Sequence, residues 1–122
     1  MRYLAVMLII VLLVSGCKEK VAAPPPEAEF TVTGASAIMT SFNRPAIRVT
    51  IKNTGNATGY NVGVTIQAIS GNTIVDTGHA FPGDLGNIAP GQSAVDDAVF
   101  FNLTNHSDYT RTETEIDWLT RD

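Results

Sequence analysis

Cysteine is nearly absent from this chain of 122 residues, which holds one, Cys17. A single thiol excludes a disulfide within the chain, so any core must hold together by packing alone. Histidine is scarce too: His79 and His106 are the only two, and they are not paired at metal-ligand spacing. No Gly-x-Ser-x-Gly elbow and no glycine-rich phosphate loop occurs. These gaps argue against an enzyme, and no cofactor is expected. Positive charge is also in short supply, eight Lys and Arg against twelve Asp and Glu, for a net charge of −4. Nucleic-acid binding needs basic patches, so that partner class is set aside. Flat adsorption on anionic lipid is disfavoured for the same reason.

What is present starts with a leader. Arg2 is followed by apolar residues from Tyr3 to Val14 and then by the small residues Ser15 and Gly16, the charge, grease and cleavage order of an export signal. The apolar part, about 12 residues, is short against the roughly 18 to 20 that span a bilayer. Val14-Ser15-Gly16-Cys17 resembles the bacterial lipobox at all four positions. That resemblance implies a diacylglyceryl group on the Cys17 sulfur, cleavage before Cys17, and further acylation of the new amino terminus by a fatty acid such as palmitate. Residues 1–16 are therefore expected to be a lipoprotein signal peptide. The mature protein is expected to sit on the cell membrane or outer membrane, facing the periplasm or exterior. Lys18 in place of Asp leans toward the outer membrane, by similarity to enterobacterial lipoproteins. Each buried CH₂ contributes about 0.8 kcal/mol, so two or three acyl chains make an essentially permanent anchor. Arg2 is the only charge before Cys17, so its loss takes the net charge from −4 to −5.

Residues 17–29 read as a lipidated N-terminus and a disordered, proline-bearing tether, with Pro24, Pro25 and Pro26 favouring polyproline II at about 3.1 Å per residue. Residues 30–122 have the length of one domain. Its apolar period is two: Ile47, Val49 and Ile51 alternate with Arg48, Thr50 and Lys52, and Tyr60, Val62, Val64 and Ile66 with Asn61, Gly63, Thr65 and Gln67. Asn53-Thr54-Gly55-Asn56 between them predicts a hairpin turn. Further strands are predicted over 30–39, 73–77, 84–88, 95–103 and 111–119. About seven short strands indicate an all-β fold, an antiparallel β-sandwich of immunoglobulin-like type. In 95–101, Val99 and Phe101 share parity with Asp97, and a bulge at Asp96-Asp97 is expected to turn both carboxylates to water. The expected core is Phe30, Val32, Ile38, Ile47, Val49, Ile51, Val62, Val64, Ile66, Leu85, Ile88, Val99, Phe101, Ile116 and Trp118.

The run from Ile47 to Ile66, followed by Asp76-Thr-Gly-His-Ala-Phe81 and Asp84-Leu-Gly-Asn-Ile-Ala-Pro-Gly-Gln92, is similar to FxLYD domains and to CARDB domains. Both families imply an immunoglobulin-like sandwich, and neither implies a catalytic set. At the positions where FxLYD proteins carry their naming aromatic and acidic residues, this chain has Ile66-Gln67-Ala68-Ile69-Ser70.

The residues offer four kinds of candidate site. Asp76, Asp84, Asp96 and Asp97 could offer oxygen to a hard cation such as Ca²⁺, but their spacing matches no loop motif, and no metal is assigned. Glycan or peptidoglycan binding would use exposed loop aromatics, with Phe81 and Tyr109 as candidates. His79 and His106 read as exposed loop histidines. The alternating acids Glu113, Glu115 and Asp117 fit either a docking strip for a protein partner or charges that keep a sheet edge unpaired. The expected function is a membrane-anchored, non-catalytic protein-interaction or scaffolding module, with glycan binding as the alternative.

Overall fold

The computed structural model describes residues 25–83 and 86–120. Cys17, the expected leader, most of the expected tether, Asp84 and Leu85 lie outside them. Six strands follow one another: β1 (Phe30–Met39), β2 (Pro45–Asn53), β3 (Tyr60–Ser70), β4 (Thr73–Ala80), β5 (Ser93–Val99) and β6 (Arg111–Leu119). One 3₁₀ turn, His106–Asp108, is the only helical element among the described residues. They form two antiparallel three-stranded sheets, ordered β1-β2-β5 and β4-β3-β6. The fold is all-β and sandwich-like.

The central strand of each sheet is the one with the cleanest alternation. In β2 the buried set is Ile47, Val49 and Ile51, and in β3 it is Val62, Val64, Ile66 and Ala68. These seven residues face each other across the sandwich, with Ile88, Phe100 and Leu103 closing the core. Burying such side chains contributes about 1.5–3 kcal/mol each, which is how a core without disulfides persists.

Several expectations need correction. The runs over 47–52 and 60–67 are not a hairpin, because β2 pairs with β1 and β5 while β3 pairs with β4 and β6. The turn residues between them are occupied otherwise. Thr54 N–H donates to the Glu29 carbonyl at 2.7 Å and Asn56 N–H to the Glu27 carbonyl at 3.0 Å, so the loop first extends the β1–β2 ladder and then crosses to the other sheet. Residues 27–29, placed by their composition in the tether, are thereby hydrogen-bonded to the domain, and Ala28 is buried.

No bulge occurs at Asp96-Asp97. The β2–β5 register runs without a shift, with Arg48 opposite Asp97 and Val49 opposite Asp96. The inward parity of β5 is therefore Ala94, Asp96 and Ala98, continuing to Phe100, whose N–H donates to the Pro45 carbonyl at 2.9 Å. Phe100 is fully buried and Phe101 is 63% exposed, the reverse of the expected core. Phe101 stacks instead on the exposed ring of Phe42, with centroids 6.0 Å apart. Val32 is 40% exposed on an edge strand, and Ile38 and Val99 are half-buried. The strand expected over 84–88 is represented among the described residues by one bridge, Gly59 to Ile88.

Along one side the sheets close on each other. An ideal Cβ at Gly78 of β4 would stand 3.0 Å from the Val99 carbonyl oxygen and 3.3 Å from the Ala98 methyl. Asp96 Oδ2 accepts the Phe81 N–H at 2.8 Å, and Asp76 accepts the Asn102 N–H at 2.9 Å. A glycine and two small alanines let the edges of β4 and β5 lie side by side, which is why the β5 positions facing inward are not bulky.

Candidate functional site

The alternation of β6 puts Arg111, Glu113, Glu115 and Asp117 on one face, and the register with β3 fixes which. Glu113 lies opposite Gln67, Glu115 opposite Thr65 and Asp117 opposite Gly63. Since Val64 and Ile66 are buried, these positions belong to the outer face of the sheet. β4 adds Thr77 beside Gln67 and His79 beside Thr65. His79 is thus an exposed strand residue, with Nδ1 3.3 Å from Thr65 Oγ1. Arg111 pairs with Glu113, while Glu115 and Asp117 have no ion-pair partner among the described residues. The result is a row of three carboxylates along an uncovered polar face.

Phe81 stands at the end of that row. Its ring lies against Gly63, 3.6 Å from an ideal Cβ there, and it is 67% exposed. Gly63 is also the partner of Asp117, so ring and carboxylate flank one glycine. Beside them is an open depression of about 480 Å³ lined by Asn61, Val62, Phe81, Gly83 and Gly86. Asn61 holds φ at 53°, a left-handed conformation that asparagine tolerates, and the neighbouring Val62 N–H is bonded to the Gly86 carbonyl at 2.8 Å.

Tyr109 is elsewhere. It precedes β6 next to Ile69, six β3 residues from Gly63, or roughly 20 Å at strand rise. Its ring packs edge-on against buried Phe100 at 5.6 Å, and its hydroxyl is 2.6 Å from His106 Nδ1. Burial pushes the Tyr109 phenol above its ordinary range. His106 is half-buried rather than loop-exposed: Nε2 lies 2.8 Å from the Ile38 carbonyl, so one imidazole bridges the end of β1 to the turn before β6. The sheet therefore gathers Glu113, Glu115, Asp117 and Phe81, and sets Tyr109 apart.

Of the four carboxylates that could offer oxygen to a cation, the three among the described residues are engaged individually. Asp76 accepts from the Thr77 and Asn102 N–H groups and from Asn102 Nδ2, Asp96 from Phe81, and Asp97 forms a bidentate pair with Arg48 at 2.9 and 3.0 Å. Asp84 lies outside the described residues. Among those residues no three His, Cys, Asp or Glu side chains converge as a metal site, and no helix is long and apolar enough to cross a membrane.

Nothing in the sequence singles out Phe42, and the residue pattern assigns Asn53 to a hairpin turn and Phe101 to the core. Asn53 is buried and holds the 53–59 loop by its amide, and Phe42 and Phe101 form an exposed ring pair at the opposite end of the sandwich. Fold and site together define a small all-β module with an acid-lined open face. No family model, no curated protein and no solved structure matches this chain.

Proposed function

We propose that this protein is an envelope lipoprotein, anchored through acylated Cys17, whose immunoglobulin-like domain is a non-catalytic module that binds another protein. The observation that carries the binding half is the face of β4-β3-β6. Glu113, Glu115 and Asp117 stand in a row beside exposed Phe81, and two of the three carboxylates lack a counter-charge among the described residues. Exposed charge steers association, and an exposed aromatic beside it supplies the apolar anchor that such interfaces use. The anchor half rests on the Arg2, apolar and Val14-Ser15-Gly16-Cys17 pattern.

Cross-linking in native membranes tests the reading. Wild-type protein is expected to give a discrete cross-linked partner that the double variant Glu113→Lys/Glu115→Lys loses. An identical set of products from both proteins refutes the face. A second reading, glycan binding, has Phe81 beside the depression at Asn61 in its favour, although Tyr109 is too far away to share the ligand. Retention on insoluble peptidoglycan, lost on Phe81→Ala and kept in Glu113→Lys/Glu115→Lys, would select it.

A further inference from the structure

We propose that Phe42 and Phe101, at the end of the sandwich away from the described N-terminus, form a stacking platform for an uncharged glycan chain. The site is separate from the acidic face of β6 and from the depression beside Phe81.

The rings come from two loops that the sheet order brings together. Phe42 lies in the turn from β1 to β2 and Phe101 follows β5, and these two strands flank β2 in one sheet. Each loop is tied down. In the first, Thr40 N–H donates to the Arg44 carbonyl at 2.9 Å, and Asn43, at a φ of 63°, donates its N–H to the Thr40 carbonyl at 3.0 Å. In the second, Asn102 gives its N–H and its Nδ2 to Asp76 at 2.9 and 3.1 Å. Arg44 then joins the loops, Nη1 donating to the Leu103 carbonyl at 3.2 Å. Loops held in this way need not be ordered by a ligand, which removes part of the cost of binding.

The two rings are parallel to within 12°, with centroids 6.0 Å apart, and both are more than half exposed. A single exposed apolar side chain needs no explanation, but this pair has an apolar floor beside it. Ile38, Ala46 and Val99 lie opposite one another across β1, β2 and β5, at positions that alternate with buried Ile47 and Ala98. They therefore form a row on the outer face of the sheet. Phe101, two residues past Val99 and exposed where Phe100 is buried, continues that row.

Charge decides the class of ligand. The ionic groups that flank the rings in sequence and register are already engaged: Arg44 with the Leu103 carbonyl, Asp76 with Asn102, and Arg48 with Asp97 in a bidentate pair at 2.9 and 3.0 Å. Residues 39–43 and 100–105 carry no charge at all, and exposed Ser41 and Asn43 offer neutral donors and acceptors next to Phe42. The row of Glu113, Glu115 and Asp117 belongs to the other sheet. A basic or acidic polymer thus finds no counter-charge here. The anchors of protein interfaces fill pockets, whereas two parallel exposed rings offer faces. A pyranose suits them, because its C–H face is apolar and its hydroxyls reach outward to a neutral rim. Position agrees, on the anchored reading proposed above. The platform stands one β1 length, roughly 33 Å, from the described N-terminus, and residues 18–26 add at most about 28 Å, which carries it away from lipid.

Retention of the full chain, in detergent micelles, on insoluble chitin and on cellulose tests this, both being uncharged β-linked pyranose polymers. Wild-type protein is expected to be retained on at least one of them, and to stay bound in about 1 M salt. Phe42→Ala/Phe101→Ala is expected to bind about tenfold more weakly, while Phe42→Tyr/Phe101→Tyr, Phe81→Ala and Glu113→Lys/Glu115→Lys bind as wild type. Should the alanine variant melt early, the ring-proton resonances of Phe42 and Phe101 in wild-type protein read the contact directly, and they are expected to shift on adding chitotetraose. Retention on neither polymer, retention that salt removes, or rings that do not shift overturns the proposal. Retention lost in Phe81→Ala and kept in Phe42→Ala/Phe101→Ala overturns it by assigning the glycan to the depression at Asn61. A membrane cross-link lost in Phe42→Ala/Phe101→Ala without any glycan retention overturns it by assigning the platform to a protein. None of these outcomes decides the acidic face, which stands or falls with Glu113→Lys/Glu115→Lys.

Discussion

At the scale of single residues, Asn53 shows how one amide organises a region. Nδ2 donates to the Ala57 and Ile88 carbonyls at 2.8 and 2.9 Å, and Oδ1 accepts from Gly55 N–H at 2.9 Å and Glu29 N–H at 3.3 Å. It is fully buried, so truncation removes all four bonds at once, taking this partner from the Ala57 carbonyl and from the Gly55 and Glu29 N–H groups, while the Ile88 carbonyl keeps the Gly59 N–H. Asn53→Ala is expected to destabilise the fold by about 3 kcal/mol, read from the urea midpoint, since each orphaned buried group costs about 1–3 kcal/mol. Asp108 does similar work at the surface. Its Oδ2 accepts from Thr104 N–H, Thr104 hydroxyl and Asn105 N–H, and the two backbone donors hold its carboxyl below the ordinary range. A lowered carboxyl contributes order above the unfolded value near pH 4, and that order is lost as pH falls through the folded value. The Thr104 and Asn105 amides should therefore exchange faster as pH drops below the ordinary carboxylate range, after correction for intrinsic rates. Asp108→Asn should flatten that dependence. No such flattening would mean that the turn is held by His106 and Tyr109 instead.

At the scale of strands, the parity of β5 makes the sharpest prediction. Phe100→Ala opens a cavity among Ala98, Leu103 and Tyr109 and is expected to cost about 3–5 kcal/mol. Phe101→Ala removes only an exposed stack and should cost under about 1 kcal/mol, so similar melting losses for the two would contradict the register. The alternation of Val95, Val99 and Phe101 pointed the other way because hydrophobicity weighs large residues. It misses the inward Ala94 and Ala98, kept small where β4 passes at Gly78. The bounds of β1 and β6 were legible because turn residues flank each run, and the period of two in β2 and β3 marked them as strands. Their partners were not legible. Main-chain hydrogen bonds carry no sequence, and Asn53-Thr54-Gly55-Asn56 suits a hairpin as well as the crossing it makes. For the same reason the row of Glu113, Glu115 and Asp117 could be read from β6 alone. The neighbourhood of Phe81 and the remoteness of Tyr109 depend on which strands pair, so they could not.

For the whole molecule, the ends of the chain set an orientation. Residues 27–29 join the loop after β2, and Leu119 pairs with Tyr60, so both described termini lie at one end of the sandwich. Phe42, Phe101 and His106 lie at the other, one β1 length or roughly 33 Å away. An anchor at Cys17 would hold the first end toward the bilayer, and residues 18–26 would span at most about 28 Å as polyproline II. The acidic face of β6 runs along the axis between the ends, accessible to a partner approaching from the side. The proposed arrangement depends on the acyl chains, because the expected mature protein, of net charge −5, has little attraction of its own for anionic lipid. Wild-type protein should accordingly resist high-salt and alkaline washes of membranes, since two or more chains bind essentially permanently. Intact-mass measurement should show the acyl additions on a chain that starts at Cys17. Cys17→Ser should leave no chain of mature size in the membrane fraction. A variant that remains there at mature size would show that something other than lipid holds the domain, and the orientation argued from the anchor would fall with it.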